Sequence, residues 1–242
     1  MRLLLLSNST NFGSGYLDHA EEEIGAVFKG ARRIVFVPFA LHDQAGYWRK
    51  ARARFAAFGI EVDRLEEGPG APAAIGAAEG VFVGGGNTFR LLDKLYRSGA
   101  LPEIRRRALE GMPYMGASAG TGIAAPTIMT TNDMPIARPP SFDALNLVPF
   151  QFNCHYIDAD PASSHMGETR EQRIREFHEE NAAAVVGLRE GGMLRVRSDG
   201  AGARISATLL GSSSKHGARV FRRGLDPVEE LPGASLDYLF PA

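Results

Sequence analysis

The sequence predicts an α/β fold: a mainly parallel sheet with helices on both faces and extra strands at the C-terminal end. Three observations carry this. Short continuous apolar runs alternate with helix-length segments through the first half of the chain, which is how strands buried on both faces appear. Turn residues such as Gly84-Gly85-Gly86-Asn87 follow those runs directly. The length of 242 residues, with 44% hydrophobic and 23% charged, supplies a substantial core and suits a single domain over residues 1–242.

Taken in order, residues 3–7 form the first strand, and an Asn/Ser/Gly-rich loop then leads to a helix over about 17–28. Residues 34–37 are a second strand closed by Pro38. The pattern over 46–58 is helical, with Gly59 as its stop. Strands follow at 60–65 and 81–83, then helices at 88–97 and 102–109 and a short strand over 112–115. Residues 127–149 carry few helix signals, and a loop this long in a compact domain is usually functional. Residues 150–156 read as a strand running into a loop, 168–181 as a charged helix and 185–188 as another buried strand. Alternation at 194–197 and 218–221 predicts half-exposed antiparallel strands.

A formal net charge of −1 carries no overall electrostatic footprint for nucleic acid. The local clusters Arg49-Lys50-Ala51-Arg52 and Arg105-Arg106-Arg107 read as solvated helix faces. The single cysteine, Cys154, allows no internal disulfide and suits a reducing compartment. The apolar N-terminus is too short for a signal peptide or a membrane span, and no later segment could cross a bilayer. A cytoplasmic protein without membrane partners is expected, its oligomeric state open and a homodimer among the options. No metal or cofactor is expected: His165 and Glu168 are near in sequence, but no ligand cluster with zinc spacing accompanies them. The glycine run at 84–86 lacks the third glycine of a dinucleotide fingerprint and the lysine of a phosphate-binding loop.

Chemistry is concentrated at Gly116-Ala117-Ser118-Ala119-Gly120, which fits the G-x-S-x-G pattern of a nucleophile elbow. A serine hydroxyl needs a neighbouring base. Of six histidines, His155 is the strongest candidate, since it sits where a strand enters a loop. His178 reads as a helix-surface residue, and His19, His42, His165 and His216 lie in contexts without distinguishing pattern. The base needs a carboxylate to orient it. Glu190, after the strand at 185–188 and before Gly191-Gly192, is one candidate; Asp133 is the competitor. Triads occur in several chain orders, so order does not choose between them. Oxyanion donors are sought in the backbone N–H of Ala119 and of Gly85 or Gly86. Adjacent strand residues point to opposite faces, which argues against a Cys154–His155 dyad.

Several stretches together resemble the peptidase E, or α-aspartyl dipeptidase, family of serine peptidases: 3–10, 83–89, 116–120, Thr130 to Ile136, and Gly167 to Arg175. The resemblance spans nearly the whole chain, and that family is similar in fold to class I glutamine amidotransferases, where a cysteine occupies the elbow. It implies Ser118 as nucleophile, His155 as base and Glu190 as acid, with Asp133 shaping the site. It also implies a small peptide substrate with an N-terminal aspartate. The substrate carboxylate needs a cationic partner; Arg170 is the candidate, because a guanidinium binds a carboxylate through two parallel hydrogen bonds. Asn87 is a second candidate substrate-binding residue. Cys154 departs from the family pattern, in which proline often precedes the histidine. The competing readings are a related hydrolase of aspartate-rich polymers or β-aspartyl bonds, and a non-catalytic binding protein of the same fold.

Overall fold

Four consecutive leucines set the centre of the molecule: Leu3, Leu4, Leu5 and Leu6 are all fully buried. The computed structural model describes residues 1–162, 164, 166–198 and 204–241; His165 lies outside the described residues. In chain order, β1 (Arg2–Leu6) leads through a 3₁₀ turn to α1 (Glu21–Val27), β2 (Arg33–Val37), α2 (Gln44–Ala56), β3 (Glu61–Arg64) and α3 (Ala71–Ala77). Then come β4 (Val81–Val83), α4 (Thr88–Arg97), α5 (Ala100–Leu109), β5 (Tyr114–Ala117) and α6 (Ala119–Gly122). A long irregular segment follows, and the chain continues through β6 (Gln151–Cys154), α7 (Arg170–Glu180), β7 (Val185–Leu188), β8 (Met193–Arg197), β9 (Ser206–Leu210), β10 (Ala218–Phe221) and β11 (Val228–Glu230).

The larger sheet has the order β3-β2-β4-β5-β1-β8-β9. Its five strands from β3 to β1 are parallel, and β8 and β9 extend it antiparallel. Side chains alternate across a strand, so β1 feeds two cores. Leu3 and Leu5 pack with Leu91 and Leu95 of α4 and Ile104 of α5. Leu4 and Leu6 pack on the opposite face with Ile24 of α1 and Ala51 and Phe55 of α2.

The strand expected at 185–188 does not join this sheet. It lies in a separate four-stranded sheet of order β11-β10-β7-β6, where β6 and β7 are parallel. Phe152, Val186, Leu188 and Val220 of that sheet enter the same core as β1 and α4. Its other face meets Ile174 of α7 through Val185 and Phe221. Periodicity marks a strand as buried without saying which sheet buries it.

Other boundaries moved for local reasons. The helix expected from 17 begins only at Glu21, because Leu17 adopts a left-handed φ of 63° and Asp18–Ala20 forms a 3₁₀ turn. α3 lies where the sequence pattern gives no helix; its seven residues include a proline in the first turn and a glycine, which weaken its helical pattern. The elbow strand starts past Pro113, which has no N–H for the ladder. α7 begins at a capping box, with the Thr169 side chain accepting from Gln172 N–H and the Gln172 side chain accepting from Thr169 N–H. His178 is buried, not surface-facing, with Nε2 3.1 Å from the Ala183 carbonyl.

This architecture brings five strand ends together. Ser7 follows β1, Gly84 follows β4, Ser118 follows β5, His155 follows β6, and Glu190 lies just beyond β7. No helix among the described residues is long and apolar enough to cross a membrane.

Candidate active site

The elbow is built by close backbone approach. A side chain at Gly116 would put its Cβ 2.4 Å from the Gly120 carbonyl oxygen, and one at Gly120 would lie 2.1 Å from the Val83 carbonyl oxygen in β4. Both glycines of G-x-S-x-G are therefore steric requirements. Between them Ser118 adopts φ 52° and ψ −110°, a conformation costly for any residue with a side chain. The bend is held at several points. Ser118 N–H donates to the Leu6 carbonyl at 3.0 Å. The Tyr114 hydroxyl donates to Gly120 O at 2.5 Å, and the Thr121 hydroxyl faces Leu6 O and Gly116 O at 2.7 and 2.9 Å. Ser118 does not cap α6 with its own side chain. Its Oγ lies 2.8 Å from His155 Nε2.

His155 is also left-handed, with φ 53°. The turn lifts the imidazole out of the line of β6, while the Cys154 Sγ faces Ser118 O at 3.6 Å. Ser7 fixes it: His155 N–H donates to Ser7 Oγ at 2.9 Å, and the Ser7 hydroxyl donates to Leu188 O at 2.7 Å. Burial, with the Asp133 charge nearby, pushes the Cys154 thiol well up, which disfavours the thiolate.

His155 Nδ1 lies 2.9 Å from Glu190 Oε1. The turn carrying Glu190 is anchored on both sides. Gly191 N–H donates to Asn8 Oδ1 at 2.7 Å. Arg189, the preceding residue, bridges Asp158 at 2.7 Å and Glu229 at 2.5 Å. That guanidinium, through direct hydrogen bonds, holds the Asp158 carboxyl below the usual carboxylate range. Asp158 is three residues past His155, so the Arg189–Asp158 pair ties the histidine-bearing loop to the glutamate-bearing turn.

The competing acid is elsewhere. Asp133 Oδ2 accepts from Thr88 N–H at 2.7 Å and from the Thr88 hydroxyl at 2.5 Å, so it closes the start of α4 and does not orient His155. Asn87 is likewise spoken for: its Oδ1 accepts from Arg90 N–H at 3.0 Å and its Nδ2 donates to Met134 O at 2.8 Å. It caps α4 and tethers the 130s loop. Gly85 N–H donates to the Tyr47 hydroxyl at 2.8 Å. Gly85 matters by proximity: a Cβ there would lie 3.0 Å from Ser118 Cβ. The N–H groups of Gly86 and Ala119 donate to no acceptor among the described residues.

Two spaces meet at Ser118. A narrow pocket of about 30 Å³ is lined by Thr88, Thr127, Thr130, Thr131, Asn132 and Asp133 together with Ser118 and His155. An open cleft of about 680 Å³ is lined by Ser118, His155, Glu190, Gly86, Tyr16 and Lys50 among others. Arg170 stands behind the narrow pocket, its Nη1 donating to Asn132 Oδ1 at 2.5 Å. Partial burial, then the neighbouring Arg173, lowers its guanidinium pKa, and no carboxylate pairs with it among the described residues. No group of three or more His, Cys, Asp or Glu side chains among the described residues could hold a metal.

Ser7, Asn8, Tyr47 and Arg189 support the site without a sequence signal for it. Their roles run through backbone groups of distant segments, and nothing local in the sequence signals such a contact.

The pattern of peptidase family S51 matches residues 3–204. A Streptomyces coelicolor protein named peptidase E is 51% identical over 239 residues, covering 99% of this chain and 95% of its own. A Drosophila melanogaster protein named "Probable alpha-aspartyl dipeptidase" is 43% identical over 240 residues, covering 98% and 96%. The crystal structure of a peptidase from an acI-B1 Actinobacterium is similar with a TM-score of 0.70 at 15% identity, covering 97% of this chain and 96% of that one, a likeness of fold.

Proposed function

Because the chain belongs to peptidase family S51, we propose that it is a serine dipeptidase that releases N-terminal aspartate from Asp-Xaa dipeptides through an acyl-enzyme. The observation that carries this is the continuous relay from Ser118 Oγ to His155 Nε2 at 2.8 Å and from His155 Nδ1 to Glu190 Oε1 at 2.9 Å. A single thiol suits a reducing compartment, and the reading places the enzyme in the cytoplasm.

His155 Nε2 takes the hydroxyl proton as Ser118 Oγ attacks the scissile carbonyl carbon. The oxygen of the tetrahedral intermediate accepts from the N–H groups of Gly86 and Ala119. Glu190 holds the imidazole in the tautomer with a proton on Nδ1 and stabilises the imidazolium. The C–N bond breaks as His155 returns the proton to the leaving amine. Water, deprotonated by the same imidazole, then cleaves the aspartyl ester. Glu190→Gln is expected to lower kcat by about 10²–10³-fold with little change in KM, less than for a fully buried acid because the carboxylate is partly solvated. Steady-state kinetics on Asp-Leu measure this, and an unaltered kcat would remove Glu190 from the relay.

Aspartate selection is assigned to the narrow pocket. Arg170 is a partly desolvated cation with no anionic partner among the described residues, one hydrogen bond behind Asn132. The aspartyl carboxylate would supply the missing charge. Arg170→Ala should raise KM for Asp-Leu by about 10-fold or more while leaving the slow turnover of Ala-Leu unchanged. A panel of α-aspartyl, β-aspartyl and neutral dipeptides measures the selectivity, and an equal loss on acidic and neutral substrates would remove Arg170 from recognition.

A further inference from the structure

The open cleft holds a charge that the relay does not use. Of the residues lining it, Lys50 is the one lysine or arginine; the acidic side chains there are those of Asp43, Asp133 and Glu190. Asp43 is occupied as the cap of α2, accepting from Gly46 N–H at 2.8 Å, Asp133 is held by Thr88, and Glu190 faces His155. Lys50 enters no ion pair among the described residues.

Lys50 is exposed, and an aromatic contact orients it. It lies three residues after Tyr47 on α2, which puts both side chains on one helix face. The Tyr47 hydroxyl accepts from Gly85 N–H, and Gly85 abuts Ser118. Tyr16 stands edge-on to Tyr47, with ring centroids 6.4 Å apart, and the Lys50 ammonium sits 4.4 Å over the Tyr16 ring. Such a cation–π contact orients the ammonium and leaves its N–H donors available.

A dipeptide of the proposed class has two carboxylates, one on the aspartyl side chain and one at the C-terminus of the leaving residue. The narrow pocket, with Arg170 behind it, is assigned above to the small invariant aspartyl group. The open cleft has room for a variable residue. Resting on the peptidase reading above, we propose that Lys50 binds the terminal carboxylate of the leaving residue and so sets the substrate's length. The carboxylate carbon of a dipeptide is about 2.5 Å from the scissile nitrogen, and each further residue carries it up to about 3.5 Å onward. A lysine at one point of the cleft serves one of these spacings, and the dipeptide's is the one assigned to it.

The test compares wild type, Lys50→Met and Lys50→Arg on Asp-Leu, Asp-Leu amide and aspartyl p-nitroanilide. Wild type is expected to prefer Asp-Leu over its amide by about 10-fold or more in kcat/KM. Lys50→Met should erase that preference through KM with kcat held, and Lys50→Arg should restore part of it. The two substrates lacking the carboxylate should be cleaved equally by all three proteins. An undiminished preference for the free acid in Lys50→Met, or an equal loss on all three substrates, would overturn the assignment while leaving the peptidase reading intact. No turnover of any of the three by wild type would overturn that reading and this inference with it.

Discussion

Ser118→Ala is expected to lower kcat on Asp-Leu by about 10⁴-fold or more, with the residual rate due to binding and the oxyanion donors. The expectation follows from the geometry around one oxygen. Ser118 makes no side-chain hydrogen bond to its own helix, and its Oγ lies 2.8 Å from the imidazole. The bend that presents it is held by backbone groups and by Tyr114 and Thr121. Removing the hydroxyl therefore leaves the elbow intact, and unfolding stability should stay within about 1 kcal/mol of wild type. Kinetics read together with a thermal melt separate lost chemistry from lost fold; a variant that melts normally and keeps wild-type turnover would exclude Ser118 as nucleophile.

Gly120→Ala should act on fold and activity together. The new Cβ would lie 2.1 Å from the carbonyl oxygen and 2.8 Å from the carbonyl carbon of Val83. Those atoms are backbone of β4, paired on both sides with β2 and β5, so no flexible side chain can move aside. Overpacking usually costs about 1–3 kcal/mol, and a clash with paired backbone belongs at or above the top of that range. The elbow must shift away from β4, and a displacement of about 1 Å between reacting groups can cost about 10²-fold in rate. Gly25→Ala is the matched control. It lies within α1 with nothing within 4 Å of the added Cβ, and should stabilise by about 0.5–1 kcal/mol. Chemical denaturation and kcat/KM measure both variants. A Gly120→Ala protein as stable and active as wild type would show that the elbow does not depend on this approach.

What the sequence made legible was local. The glycine spacing of 116–120, the strand end before Glu190 and the strand entering the loop at His155 are each signalled within a few residues, and the fold brings all three together. What it hid was tertiary. Apolar runs marked β7 as buried, but its place in a second sheet depends on pairing with β6 and β10. Asp133 and Asn87 carry side chains suited to catalysis and binding, yet both are consumed at the start of α4, Asp133 by the Thr88 N–H and hydroxyl and Asn87 by the Arg90 N–H and Met134 carbonyl. Gly85 looks like a free donor until Tyr47, thirty-eight positions earlier, takes its N–H. Lys50 sits in a cluster that reads as a solvated face, and only the placement of α2 beside the elbow turns it toward the cleft. Helix periodicity gives a residue's face but not that face's neighbour.

The most direct measurement is covalent labelling of the intact protein with a serine-directed fluorophosphonate, read by intact mass and peptide mapping. A single adduct on Ser118, formed in step with loss of Asp-Leu hydrolysis and slowed by free aspartate, is the predicted result. An adduct at another residue that tracks the loss of activity, or full hydrolysis by protein with Ser118 modified, would contradict it.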